Sequence, residues 1–429
     1  MRPDVYVVEC SAATGSEEEV SVWWVERIVR ALQSVGGYRE TWYRAQVHLL
    51  YGDGPLPITW RLYIAIMAVC RHEVTWLVET LLLEFQNGGG DVQWVGGIHR
   101  VPPKLAALSR INNILAHQPW LLKPQHIQEL TTGEDNWSLA ELCQALCLLT
   151  HFHSLVSFIH TAGLTKPLEK NRGITKESTN IVSKKSEAPS LQTGGKSPEK
   201  VQASMSNSAS RISSQSDCDK TSSKTFMPIR QYRHLTVDPD FTYQDFSNVP
   251  DSSIPSFPIQ DYSWQDQGFA LCSRLLGDTG VLLDERFTAA FACQNIRLFE
   301  LQLATHCMGY AQSKTESNEK STEISRLPEQ YTTKQTSPTT KLLPSKALWK
   351  HVQWMLGIRY DDFDYTELNK NLGPGIREFT KMSCCFPEKS QGTPLSQADM
   401  IHASVVVMEA RFQSELLYAL RAIMVVTQS

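Results

Sequence analysis

The sequence predicts an all-α fold. Apolar residues recur at helical spacing in every long ordered stretch, capping-box pairs precede two of these stretches, and alternating strand-type runs are scarce. Ser16 followed by Glu19 is the first capping box, and Val20, Trp23, Trp24, Ile28 and Leu32 follow it on one helical face. Gly52-Asp53-Gly54-Pro55-Leu56-Pro57 is a turn. Beyond it, Leu62, Ile66, Met67, Cys70, Val74, Leu77, Val78 and Leu81 read as a single helix ended by Gly88-Gly89-Gly90. Tyr63, Ala65 and Val69 make its other face apolar too, so it should be buried almost all round. Ser138 and Glu141 form the second capping box, ahead of the apolar run Leu142 to Phe158. Val405 to Val426 is one long helix, with Met408, Phe412, Leu416, Ala419 and Ile423 in a stripe.

The 429 residues are 41% apolar and 20% charged, with 41 Lys+Arg against 45 Asp+Glu. A formal net charge of -4 and no basic, aromatic-laced patch argue against a nucleic-acid binder. No uninterrupted apolar run is long enough to span a membrane, and Glu79 and Glu84 break the run from Leu77 to Phe85. Asp4 and Glu9 lie where a signal peptide needs an apolar core. The 10 cysteines form no CxxC pair, which fits reduced thiols in a cytoplasmic or nuclear protein.

Two segments depart in composition. Lys166 to Thr225 is rich in Ser, Lys, Thr and Gln and nearly free of aromatics, so it cannot offset its ordering entropy and reads as disordered. Gln312 to Lys341 has the same character. Each carries a Ser-Pro pair, Ser197-Pro198 and Ser337-Pro338, common in linkers and also open to phosphorylation. The division is therefore an N-terminal helical domain over 1–165, a linker over 166–225, and a connecting segment with the start of a C-terminal helical domain over 226–310. A disordered insert over 311–344 and the rest of that domain over 345–429 complete it.

Several blocks carry a family resemblance. They begin with Asp53-Gly54-Pro55-Leu56-Pro57, Tyr63-Ile64-Ala65-Ile66-Met67-Ala68 and Arg71-His72. Leu115-Ala116-His117-Gln118-Pro119-Trp120-Leu121, Trp137-Ser138-Leu139-Ala140-Glu141-Leu142 and Leu149-Thr150-His151-Phe152-His153-Ser154-Leu155 follow. Asp261-Tyr262-Ser263-Trp264, Leu283-Asp284-Glu285-Arg286-Phe287, Gly357-Ile358-Arg359-Tyr360-Asp361-Asp362-Phe363-Asp364-Tyr365 and Glu409-Ala410-Arg411 continue the series to Leu416-Leu417-Tyr418-Ala419-Leu420-Arg421-Ala422-Ile423. In this order they resemble the sestrin family. The resemblance implies two alkylhydroperoxidase-D-like helical halves packed together and joined by a disordered linker. It also implies a stress-induced inhibitor of TOR complex 1 that binds a GATOR-type complex, with leucine sensing in some members and a peroxide-reducing activity attributed to the N-terminal half.

Three consequences can be weighed on the residues. The family's reactive Cys, Tyr and His fall here on Val74, Trp76 and Leu81, none of which is a thiolate, phenol or imidazole base. Cys70 is the weak catalytic candidate, one turn before Val74 on the same expected face. His72 lies about 200° round that helix and Glu73 beside it, a setting that leaves the thiol a small buried hydrophobe. Cys143, Cys147 and His151 share a face at i, i+4, i+8, but two turns span about 12 Å, too far for one ion, so no metal or other cofactor is expected.

For leucine, the resemblance puts the ammonium-binding acid at Asp399 and its His at Asp399+3, His402. Asp is one methylene shorter than the family's Glu, the threonine positions read Gln294 and Arg297, and the arginine position is Ser345 or Lys346. Gln391 to Ser396 also lacks the aromatic pair, so leucine should not bind tightly. The partner-binding positions, in contrast, are kept. Tyr360, Asp361 and Asp362 match the acidic contact motif for the GATOR-type complex, and Ser138 matches a second contact. Local chemistry offers rival roles: acids favour a helix start, and Ser138 already serves as a cap. The reading is a non-enzymatic regulator of TOR complex 1, with a thiol peroxidase using Cys70 as the alternative.

Overall fold

The structure, a computed structural model, describes residues 23–166, 243, 246, 256–293, 344–389 and 395–428. The Ser16–Glu19 box, both Ser-Pro pairs, Gln294 and Arg297 lie outside the described residues. The chain before and after 168–227 contributes to one compact unit. Its helices are α1 (Trp23–Ala31), α2 (Gly36–Tyr51), α3 (Ile58–Cys70), α4 (Thr75–Asn87), α5 (Pro103–Ala106), α6 (Leu108–His117), α7 (Pro124–Thr131) and α8 (Leu139–Thr161). After the linker come α9 (Phe269–Leu276), α10 (Asp278–Cys293), α11 (Pro344–Met355), α12 (Thr366–Asn371), α13 (Pro374–Cys385) and α14 (Gln397–Gln428). The sheet content of the described residues is one parallel two-residue bridge, β1 (Phe257–Pro258) with β2 (Ile358–Arg359). The fold is all-α.

The single helix expected from Leu62 to Leu81 is two. α3 stops at Cys70, Glu73 takes a positive φ of 57°, and α4 starts at Thr75. Periodicity concealed the break, because residues on both sides of it are apolar and buried. The expected placing of Cys70, His72 and Val74 around one continuous helix therefore does not hold. The preceding turn is fastened by Arg61, whose guanidinium donates to the carbonyls of Leu50, Gly52, Gly54 and Leu56. That explains a nearly buried arginine on an otherwise apolar helix.

α8 and α14 pack against each other at the centre. α8 starts at the predicted capping box: Ser138 Oγ accepts from the Glu141 N–H at 3.2 Å and the Ser138 N–H donates to Glu141 Oε2 at 2.8 Å. α8 is also long and apolar enough to cross a membrane, but its apolar window is wholly buried inside the fold, where a core helix belongs. α14 departs from the predicted stripe, because every residue from Ile401 to Leu420 is buried.

Three charged residues are among them, and two networks pair them, although Glu409 Oε2 has no hydrogen-bond partner among the described residues. Glu409 accepts from Tyr38 Oη and from the Arg286 guanidinium, including Nε at 2.9 Å. Arg286 Nη1 donates to His151 Nδ1 at 2.8 Å, so the imidazole proton sits on Nε2, which donates to Gln46 Oε1. Two residues beyond Glu409, Arg411 donates to Glu415 Oε1 at 2.6 Å, Ser157 Oγ at 2.6 Å, the Ala116 carbonyl at 2.9 Å and His72 Nε2 at 3.0 Å. Glu415 Oε2 accepts from His153 Nδ1 at 2.9 Å. These bonds tie α2, α6 and α8 to α10 and α14 through groups that tolerate no other environment once dry.

Candidate protein-docking site

The residues from Gly357 to Thr366 form a surface turn built on a buried base. Two residues past the end of α11 comes Gly357, whose φ is +80° and whose Cβ position lies 2.8 Å from Phe246 and from Tyr418 Oη. Only glycine fits there without strain or collision. The chain then enters β2, whose Arg359 carbonyl accepts from the Ile259 N–H at 2.8 Å. The Phe363 N–H donates to the Tyr360 carbonyl at 3.3 Å, which leaves Asp361 and Asp362 as the two central residues of a turn.

The aromatic residues secure this turn from behind. Tyr360 Oη donates to Gln353 Oε1 at 2.6 Å, and the Tyr360 N–H donates to Tyr365 Oη at 2.9 Å. Burial raises the Tyr360 pKa, so its phenol stays a neutral donor. Lys350 Nζ lies 3.3 Å from the Tyr360 ring centre and 4.3 Å from that of Phe363. Phe363 and Tyr365 meet edge to face at 5.1 Å. Burial lowers the Lys350 pKa, and the Asp362 charge acts against that shift.

Both aspartates are exposed. Asp361 has no hydrogen-bond or ion-pair partner among the described residues, and Asp362 receives one long bond, from Gln260 Nε2 at 3.4 Å. The rival role, a helix start, falls to Asp364 instead: it accepts from the Thr366 N–H at 2.9 Å and from Thr366 Oγ1 at 2.7 Å. The geometry thus presents two adjacent charges with fixed backbone direction and little local use for either. Such a site can bind a cationic or hydrogen-bond-donating surface with small ordering cost.

Ser138 is exposed and caps α8 as described. Glu141 also meets Lys104 Nζ at 2.9 Å, and Lys104 lies over the Trp137 ring at 5.1 Å. No hydrogen bond or ion pair joins Ser138 to the Asp361–Asp362 turn among the described residues.

Asp399 and His402 fall one turn apart at the start of α14, and each has a local partner. Asp399 Oδ2 accepts from Ser396 Oγ at 2.9 Å, and the Asp399 N–H donates to that same Oγ at 3.2 Å. His402 is buried, and its Nε2 donates to the Cys293 carbonyl at 2.9 Å. Burial lowers its pKa, against the pull of Asp399. Of the arginine-position alternatives, Ser345 is buried on α11 beside the half-buried Lys346.

Cys70 is 1% exposed, and burial pushes its thiol up to about 12 although Arg71 acts the other way. A thiol so placed is protonated and closed to substrate. Val74, Trp76 and Leu81 are core residues, with Trp76 Nε1 donating to the Leu164 carbonyl at 2.9 Å. His151 is held by Arg286 and Gln46 and takes no part with Cys143 and Cys147.

Sequence reading named Arg286, Glu409 and Arg411 only as parts of matching blocks and missed the networks they build, together with Glu415. The available signal was charge on or beside an apolar face, Arg286 next to Leu283 and Phe287 on α10 and Glu409, Arg411 and Glu415 within α14: charges so placed are rare unless paired.

The comparisons with known proteins agree with the matching blocks. The sequence matches the family described as PA26 p53-induced protein (sestrin) in two stretches, residues 7–211 and 185–427. It is 34% identical to Sestrin-2 of Homo sapiens over 422 residues, covering 90% of this chain and 81% of that protein. It is 34% identical to Sestrin-2 of Bos taurus, covering 90% and 82%. Against the Sestrin homolog of Drosophila melanogaster it is 31% identical over 471 residues, covering 88% of each. With an all-helical fold and a match along nearly its whole length, the chain belongs to the sestrin family.

Proposed function

We propose that this protein is a stress-responsive regulator that docks on a GATOR-type complex through the Tyr360–Asp361–Asp362 turn and so restrains TOR complex 1 signalling in the cytoplasm. The supporting observation is the turn itself: two exposed carboxylates on a backbone held by Tyr360, Tyr365 and Gln353. The restraint is stoichiometric binding and needs no chemistry from the chain. Ser138 forms a second contact, where its hydroxyl adds to the interface while still capping α8. The buried Cys70 and the apolar Val74, Trp76 and Leu81 favour no peroxidase reading. Any amino-acid response would run through Asp399 and His402, and a ligand there must displace their present partners.

The test is affinity purification of the full chain from stressed cells. Asp361→Ala with Asp362→Ala should abolish recovery of the GATOR-type complex and leave the helical circular dichroism unchanged. Recovery equal to that of the unaltered chain would remove the turn from the function.

A further inference from the structure

The described residues bring three thiols together that the sequence keeps apart. Cys143 and Cys147 stand one turn apart on α8, and Cys272 reaches them from α9. Their three sulfur atoms lie within 4.8 Å of one another, and all three residues are buried and free of disulfides. The i, i+4 spacing puts the first two sulfurs on one face of α8. Packing of α9 on α8 supplies the third.

A buried cluster of thiols alone could be simple packing, because cysteine behaves as a small hydrophobe. A second observation points beyond packing. Tyr262 is fully buried, its hydroxyl has no hydrogen-bond partner among the described residues, and it lies near enough to Cys143 and Cys272 to feel their charges. A buried phenol normally finds a partner, and the Tyr262 oxygen is left able to serve as one more donor to an ion held by the thiols.

We infer that Cys143, Cys147 and Cys272 form a buried site for one thiophilic d10 metal ion, with the nearby Tyr262 hydroxyl as the candidate fourth ligand. Three thiolates suit either monovalent copper in a trigonal site or zinc in a tetrahedral one. The two differ in their need for a fourth ligand, so zinc would use the Tyr262 oxygen and copper would not. Binding replaces S–H by S–metal bonds and releases one proton from each thiol still protonated, so affinity rises with pH. The ion would join α8 to α9 and stabilise the pairing of the two sides of the linker. The site is closed to solvent, so loading accompanies folding and exchange is slow.

Elemental analysis of the full chain, purified under reducing conditions from cells supplied with zinc or with copper, should find one ion per chain. Refolding the chelator-treated protein with each ion should raise its Tm, and cobalt(II) refolded in place of zinc should give sulfur-to-metal charge-transfer absorption. Cys272→Ala and, separately, Cys147→Ser should lose the ion and the Tm rise, with metal-free helical content kept. Cys384→Ala, which removes a buried thiol on α13, should retain both. Tyr262→Phe should weaken zinc and leave copper unaffected. Uptake well below one ion per chain of either metal, or uptake that survives both Cys272→Ala and Cys147→Ser, overturns the assignment.

Discussion

Carboxylates occupy two opposed settings in this chain. Glu409 is fully buried at the α8–α14 seam, where Arg286 and Tyr38 surround one of its oxygens. Asp361 stands in solvent on the surface turn with no partner among the described residues. The first has given up water and depends on its neighbours; the second keeps its water and its capacity to bind something else. Aspartates and glutamates in matching family blocks can thus be kept for contrary reasons, cohesion in one case and recognition in the other. A buried pair is weak evidence of net stability, since desolvation offsets most of its attraction. Breaking it is costly all the same.

The largest effect should therefore come from Glu409→Gln, which leaves the Arg286 charge buried and poorly paired. A loss of about 3–5 kcal/mol in urea unfolding is expected. The double replacement Glu409→Leu with Arg286→Met should be less damaging than Glu409→Gln alone. If the double variant is worse, the pair is net stabilising and the comparison must be redrawn.

Acid should attack the seam and spare the turn. His151 and His72 are buried and held neutral, with pKa values lowered by burial and then by the guanidinium of Arg286 or Arg411. Burial lowers His117 to about 2. For each, the unfolded chain binds a proton that the folded one refuses. Their contribution is whole above the unfolded value of 6.5 and is lost as pH falls below it. The loss approaches about 1.4 kcal/mol per pH unit for each such histidine. Tm measured from pH 7.5 downward should fall, and His151→Gln should flatten the slope by one proton's worth.

A smaller effect is expected at the α8 cap. Ser138→Ala should cost about 1 kcal/mol, whereas Ser138→Asp keeps an N-cap and should cost little. Loss of partner binding in the Asp variant at unchanged Tm would separate the interface role of Ser138 from its capping role. The smallest effect on stability belongs to Asp361→Ala with Asp362→Ala, within about 0.5 kcal/mol in urea unfolding. A large destabilisation there would mean that the turn resembles the seam and serves the fold.

Much of this was legible in order. The α8 capping box, the Gly52–Pro57 turn, the long α14 and the exposed acidic motif are local: each depends on residues within a few positions of one another. What escaped was non-local or concealed by uniform composition. The break between α3 and α4 lies between two helices that are both buried and apolar, and only the short polar run Arg71-His72-Glu73 marks it, with Glu73 exposed at positive φ. The stripe on α14 became a fully buried cylinder because neighbours cover it on all sides.

Helix content, the α8 cap, the family and the chemistry of the Tyr360–Asp362 motif followed from the sequence itself, because short-range spacing and residue type determine them. Pairing of Arg286 with Glu409, of Arg411 with Glu415 and His72, and of Cys272 with Cys143 and Cys147 was decided only in three dimensions. Most of these partners are tens to hundreds of residues apart, and even Arg411 and Glu415 are buried together only because other helices enclose them. A buried charge or thiol acquires its meaning from what surrounds it once water has gone, and that is a property of packing.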